Sequence, residues 1–296
     1  MDILSLRLFL RVAERRAVTS AAGDLSLSPA SASARLAKLE DLLGFQLFNR
    51  TTRAVSLTTA GTAFLPYAEH LLETLDAGLN NVRGNDEEAK GILRMAMPGS
   101  FGRMHVLPLL HKFQALHPNV ELDLRLSDEF IDIMEGGYDL SIRNALLADS
   151  NLVARKLTED HRLLIASPEY LKKYGIPNTI EALKVHRCVT FVGNNQVKFK
   201  NGQTINIPRA SSVNDGEAMR IMIEQGLGIG IKSLWNASES LRTGHLVEVL
   251  PEFPLLTEAS IWAIYPKGRI VIPKVRAMVN FLIENFSPTP PWEQHN

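Results

Sequence analysis

Cationic side chains three residues apart occur twice in the first sixty positions: Arg35 with Lys38, and Arg50 with Arg53. Clustered guanidinium and ammonium groups neutralise phosphates, and the guanidinium fork also bonds base edges. The stretch leading to Arg35 and Lys38 holds Ser28, Pro29, Ala30, Ser31, Ser33 and Ala34, side chains too small to fill a core. Small residues beside cations let a helix backbone enter a DNA major groove, which is about 12 Å wide. Ser hydroxyls and helix N-terminal amides bond phosphates there, and Ala or Thr methyls meet thymine methyls. A second candidate set lies further along. PGSFGRM and SSVNDGE put Ser100, and then Asn214 and Asp215, at junctions from strand to helix, where free amides suit an anion such as a carboxylate. Arg143 closes the strand DLSIR and can grip a carboxylate through two parallel N–H bonds. The plainer alternatives are that Ser100 and Asn214 are caps and Arg143 a structural ion pair. Asp215 would oppose an anion, so it reads as the cap of its own helix.

These groups need elements to hold them. Leu6, Phe9, Leu10 and Ala13 recur at helical spacing through residues 2–15. Thr19 is a candidate cap for a short second helix, TSAAGDL. Ser28 as N-cap, Pro29 at the first helical position and Gly44 as a stop delimit a third. At 100° per residue, Ala32, Leu36, Leu39 and Leu43 share one face, and Ala30, Ser31, Ala34 and Lys38 the opposite one, with Arg35 flanking. Two apolar-alternating runs around Asn49-Arg50-Thr51-Thr52-Arg53 predict a hairpin. Three helices and a basic hairpin make a winged helix-turn-helix over 1–58. A small dimerisation or scaffold module with a solvated basic face is the other reading.

Residues 59–83 predict a long helix. Phe64, Ala68, Leu71 and Leu75 form one apolar seam, and Leu65, Leu72 and Leu79 a second, so a partner helix is expected. Pro66 lies in its second turn. GNDEEAK, polar and acidic, completes a linker and dimerisation segment over 59–90. From 91 to 296, apolar strands (ILRMAM, VELDLRL, DLSIR, RLLIAS) alternate with helical stretches at 103–117, 128–136 and 215–225, an α/β layout. A crossing near 162–165 and a return in IWAIYP divide this part into two lobes: 91–161 with 267–296, and 162–266. The final helix, 273–286, is expected to pack on the first lobe. Ligands favour the cleft between such lobes.

Other chemistry is excluded or demoted. Lys+Arg and Asp+Glu are both 32 in 296 residues, so no basic signature covers the whole chain. The first sixty residues, with eight basic and five acidic side chains, carry a local excess. His105, His111 and His117 stand six apart and do not converge, so no metal site is expected. GLGIGI leads from a helix into a strand, the reverse of a dinucleotide loop, and reads as a tight turn. Neither a nucleophile–base constellation nor a cofactor loop is found, so enzyme activity and cofactors are not expected. Cys188, the one cysteine, enters the apolar run CVTFV as a small buried hydrophobe. Oxidation sensing through Cys188 or a methionine is the alternative. One thiol, an amphipathic N-terminus and no apolar run near the roughly 20 residues of a membrane span predict a cytoplasmic protein.

The stretch LRLFLRVAERRAVTSAAGDLSLSPASASARLAKLEDLLGFQLFNRTTRAVSLTTAG resembles the DNA-binding domain of the LysR-type transcriptional regulators. PGSFGRMHVLPLLHKFQALHPNVELDLRLSDEFIDIMEGGYDLSIRN and VNDGEAMRIMIEQGLGIGIKSL resemble the same family's effector-binding domain. The resemblance spans essentially the whole chain. It implies a type 2 periplasmic-binding-protein-like effector domain, a homodimer built on helix 59–83 and commonly paired again into a tetramer, and binding to an inverted-repeat operator in double-stranded DNA. It further implies contact with RNA polymerase and a response to a small-molecule effector, an organic acid or other small anion. DNA contacts would come from Ser28 to Ser31, Ser33 to Arg35, Lys38 and Arg50 to Arg53. Effector contacts would come from Ser100, Phe101, Ser127, Arg143, Asn144, Asn214 and Asp215. Family members usually carry a basic or amide side chain after the serine matched by Ser33, and often an amide after the one matched by Ser28. Here those positions are Ala34 and Pro29, which leaves Arg35 as the base reader and gives DNA shape and the wing arginines more weight. A ligand-binding protein or enzyme with an appended DNA module is the remaining reading from another class.

Overall fold

In the computed structural model, which describes residues 2–50, 55–82, 88–129, 137–145, 152–266 and 272–294, helix α1 (Ile3–Arg15) begins at Asp2, whose Oδ1 accepts the Ser5 amide (2.8 Å). It ends at Arg16, at φ 53°. Helix α2 (Val18–Asp24) starts after Ala17, one residue before Thr19, and has no side-chain cap; Thr19 is therefore not the cap expected from its type. Helix α3 (Pro29–Leu43) keeps its sequence boundaries. Ser28 Oγ accepts the Ser31 amide (3.2 Å), Pro29 opens the first turn, and Gly44 closes the helix at φ 78°, where side chains with a Cβ are strained. Strands β1 (Phe48–Arg50) and β2 (Val55–Leu57) form the antiparallel wing, with Phe48 opposite Leu57.

Helix α4 (Thr59–Val82) runs straight out of the wing, with Pro66 inside it. Thr58 Oγ1 accepts the Gly61 amide (2.8 Å) and donates to the Gln46 carbonyl (2.7 Å). A Cβ at position 61 would lie 2.1 Å from the Leu47 carbonyl oxygen, so only glycine lets the helix start there. The chain forms two units, the first built on residues 1–87 and the second on 88–268 with 274–296. The first unit's core joins Leu6, Phe9 and Val12 of α1, Ala21 and Ala22 of α2, Ala32, Leu36 and Leu39 of α3, and Ala68 and Leu72 of α4. Phe64 and Leu65 pack against it. This corrects part of the predicted dimer seam: Ala68 and Leu72 are buried in their own domain, while Phe64 and Leu65 pack on it and stay partly exposed. Leu71 and Leu79, each 47% exposed, remain available to a partner, and Leu75 is partly buried. Arg7 of α1 pairs with Asp76 of α4 at 2.7 Å.

In the second unit, a five-stranded sheet has the order β4-β3-β5-β14-β6: β3 (Gly91–Met97), β4 (Val120–Leu126), β5 (Leu140–Ala145), β6 (Leu152–Glu159) and β14 (Ser260–Pro266). β3 is parallel to β4 and β5; β14 is antiparallel to β5 and β6. After β3 comes a helical run of changing pitch: α5 (Gly99–Phe101), a π turn (Gly102–Val106), a 3-10 turn (Leu107–Leu109) and α6 (Leu110–Leu116). The run starts four residues before the expected 103. Of the expected helix 128–136, residues 130–136 lie outside those described. Helix α10 (Pro273–Phe286) is tied to this sheet by Lys274, whose buried ammonium lies 3.2 Å from Asp139 and bonds the Ile92 carbonyl.

The second lobe pairs β7 (Arg162–Ala166) with β12 (Gly230–Ser233) and β13 (Val247–Glu248), and β8 (Cys188–Phe191) in parallel with β11 (Arg209–Val213). β9 (Gln196–Lys198) and β10 (Thr204–Asn206) form a hairpin. Helices α7 (Pro168–Tyr174), α8 (Gly216–Glu224) and α9 (Leu234–Arg242) cover this lobe. GLGIGI is the turn into β12: a Cβ at 228 would meet the Arg187 carbonyl oxygen at 2.4 Å. Strand β14 belongs to the first lobe's sheet, so the second lobe ends before Ser260 rather than at 266. Among the described residues, no helix is long and apolar enough to cross a membrane.

Candidate functional site

Two surfaces carry the predicted chemistry. On α3, the face opposite Ala32, Leu36 and Leu39 exposes Ala30, Ser31, Ala34 and Lys38, and Pro29 is exposed in the first turn. Ser33 is partly buried, and the Ser28 hydroxyl is committed to the cap. Arg35 flanks this face and reaches back to α1, with Nη1 3.2 Å from Asp2 Oδ2. That pair and the Ser5 amide hold the Asp2 carboxyl below its usual range, the backbone bond contributing most. Arg50 ends β1; its side chain and Thr51, Thr52 and Arg53 lie outside the described residues. Sequence reasoning passed over Glu40. Its buried Oε1 accepts the amides of Leu47 and Phe48 (2.8 and 3.2 Å), which fastens the wing to the helix expected to enter the groove. A carboxylate on the apolar face of α3 was the available signal.

In the second unit, a cleft of about 640 Å³ opens between the lobes. Ser100, Ser127, Arg143 and Asn144 line it from the first lobe, as expected. Three expected residues do not. Phe101 is fully buried and stacks edge-on against Trp235, Phe286 and Trp292. Asn214 is exposed and off the wall. Asp215 caps α8, its Oδ1 accepting the Ala218 amide at 2.7 Å, which is the role its charge suggested. The helix-start amides are also taken. Asp128, missed in the sequence, follows β4, and its two oxygens accept from Gly99 N–H (2.7 Å, first lobe) and Gly216 N–H (2.8 Å, second lobe). Its place next to Ser127, at the carboxyl end of a parallel strand, was the signal.

Lys232 of β12 stands beside this contact, 7% exposed, donating to the Gly216 carbonyl at 2.6 Å. Burial pushes its ammonium down to about 8, against the opposing pull of the Asp128 charge. At the crossing between β6 and β7, Asp160 Oδ2 accepts from Asn144 of the first lobe (3.0 Å) and from Arg162 of the second (2.8 Å). Lys198 completes the set of cations on the cleft wall with Arg143, Arg162 and Lys232, against the carboxylates of Asp128 and Glu258.

The surroundings of Cys188 do not favour oxidation sensing there. The side chain is buried, and burial pushes the thiol up to about 12, which suppresses the thiolate that oxidants attack.

Residues 3–62 match the bacterial regulatory helix-turn-helix protein family, lysR type, and residues 86–287 match the LysR substrate binding domain. The chain is 34% identical over 289 residues to the HTH-type transcriptional regulator DmlR of Escherichia coli, covering 95% of this chain and 94% of that one. Over 302 residues it is 33% identical to an HTH-type transcriptional repressor of Pseudomonas aeruginosa, covering 98% and 94%. The solved structure of CrgA, a LysR-type transcriptional regulator from Neisseria meningitidis, superposes with a TM-score of 0.62 at 29% identity over 96% of this chain and 98% of CrgA. Both domain families are met in order and relatives align along nearly their full length, so the chain belongs to the LysR family of DNA-binding transcriptional regulators and is a regulator rather than an enzyme.

Proposed function

We propose that this regulator reads an inverted-repeat operator in double-stranded DNA with α3 and the wing, and that a small anion held between the lobes sets its output. The observation that carries the first half is the two-sided α3, with Ala32, Leu36 and Leu39 buried and Ala30, Ser31, Ala34 and Lys38 bare. A helix keeps such a face free of bulk when a groove is its partner. Two copies joined through α4, with Leu71 and Leu79 as seam residues, give the two-fold symmetry that an inverted repeat mirrors, and pairing of dimers gives a tetramer. The anion preference rests on the wall cations Arg143, Arg162, Lys198 and Lys232. An anion that binds two lobe arrangements unequally shifts their populations, and through them DNA bending and contact with RNA polymerase.

The test is operator binding by fluorescence anisotropy, with salt held fixed, for the chain and for Arg35→Ala. A loss of about 1–3 kcal/mol for the specific site, with the dimer intact, supports the reading. Unchanged specific affinity removes Arg35 from the DNA interface. For the cleft, Arg143→Ala should abolish the response to organic acids while operator affinity is kept.

A further inference from the structure

The cleft holds an anion of its own. Asp128 belongs to the first lobe and Gly216 to the second, 88 positions apart, and one carboxylate bonds the amide at the head of α8 and the amide of Gly99 together. Both bonds are short and charge-assisted. The surroundings fit a carboxylate closely. A methyl group built on Gly216 would lie 2.9 Å from Ser100 Oγ, 3.5 Å from Asp128 Oδ2 and 3.6 Å from Lys232 Nζ. Hydroxyl, two amides and a buried ammonium thus converge on one spot from both lobes. An ion pair also crosses the lobes next to it: Arg103 donates through Nε and Nη2 to Glu217 Oε2 (3.0 and 2.8 Å). Asp128 is itself on the cleft wall, so an incoming molecule meets it.

We infer that Asp128 is an internal ligand of the cleft: its carboxylate fills the paired amide sites of Gly99 and Gly216, and an external carboxylate binds those amides only by displacing it. The displaced Asp128 loses its hold on the second lobe, so occupation of this spot from outside exchanges a tether within the chain for a molecule that can leave. Discrimination follows. A carboxylic acid too small to make contacts beyond the two amides gains nothing over the resident group, whose effective concentration is high because it is covalently attached. An effector needs further groups that reach the other cleft cations. This rests on the cleft being the effector site, but its test reads the cleft alone, without DNA.

The test is thermal unfolding of the full chain and of Asp128→Ala, Asp128→Ser and Asp128→Asn, titrated with sodium acetate against sodium chloride at equal ionic strength. The Ala and Ser variants should melt lower than the parent, and acetate should raise their melting temperature saturably. The parent and the Asn variant, whose side chains still fill the spot, should show no acetate-specific shift. If the Ala variant is unfolded in chloride, the same titration reads recovery of the folded circular-dichroism signal by acetate. Acetate that shifts neither the Ala nor the Ser variant, or that restores no folded signal, overturns the inference. So does an equal shift in all four proteins, which would place acetate elsewhere.

Discussion

The two units hold their charges in opposite ways. On α3 the cations stand at the surface: Lys38 is exposed, and Arg35, partly exposed, pairs with Asp2, which is itself more than half exposed. In the cleft these charges are bound before anything arrives, the partly buried Asp128 by two amides and the buried Lys232 by a carbonyl. The difference suits the partners. A phosphate backbone brings many weak, salt-screened contacts to an open face, and counterion release supplies much of the affinity. A small molecule must replace bonds already made in a low-dielectric site, where each unpaired group is costly.

Substitutions and pH separate the open face from the cleft. The largest effect should come from the core that orients the open face. Phe9 touches Phe48 of the wing and Phe64 of α4 at ring separations of 5.5 Å, so Phe9→Ala should cost about 3–5 kcal/mol in urea unfolding. Operator binding should fall with it, while the cleft variants of Asp128 keep their acetate response in the same background. Next is acid pH, which acts on the second unit. His105 sits between Trp235 and Trp292 and donates through Nε2 to the Trp235 carbonyl (2.9 Å). Burial lowers it from 6.5 to about 4. The unfolded chain takes up this proton near pH 6.5 and the folded chain only near pH 4, so the stability is full above 6.5 and is lost as pH falls toward 4. The loss is at most about 3 kcal/mol. Melting curves across that window should show it, and His105→Phe should flatten it; an unchanged acid limb would assign the loss to other groups.

Smaller effects belong to the open face. Lys38→Ala should weaken binding to all DNA sequences alike and reduce the slope of log affinity against log salt by about 1. A loss confined to the operator would make Lys38 a base reader. Smallest is Asp2→Asn, which keeps a capping oxygen for Ser5 but removes the charge beside Arg35. Surface pairs are worth about 0.5 kcal/mol, so operator affinity should rise by no more than that. A fall would mean that Asp2 orients Arg35 for DNA.

What was legible in the sequence was local. Ser28, Pro29 and Gly44 delimit α3 because capping and φ preference act within one turn, and the Asp215 cap follows the same rule. The wing and the strands of the second unit were legible from alternation. The failures come from how neighbouring residues turn and from packing at a distance. Thr19 has the right side chain for a cap, but α2 starts from Ala17, whose extended backbone is set by the turn at Arg16. Phe101 sits beside a cleft-lining serine in sequence, yet successive residues on a helical run point about 100° apart, which turns it into the aromatic core. Ala68 and Leu72 fit a partner seam and an internal core equally well by spacing, and only the packing of α1 decides between them. Asp128 reads as a loop residue until the fold brings Gly99 and Gly216 to it.

The chain passes between the lobes twice, at Asp160 and again between Leu256 and Ser260, and both passages run beside β14 or the strand it pairs with. Ser260 stands opposite Glu159, so the two passages lie side by side. Arg162 beside the first passage and Leu256, Thr257, Glu258 and Ala259 of the second line the cleft, so a molecule held there touches the same short segments that join one lobe to the other.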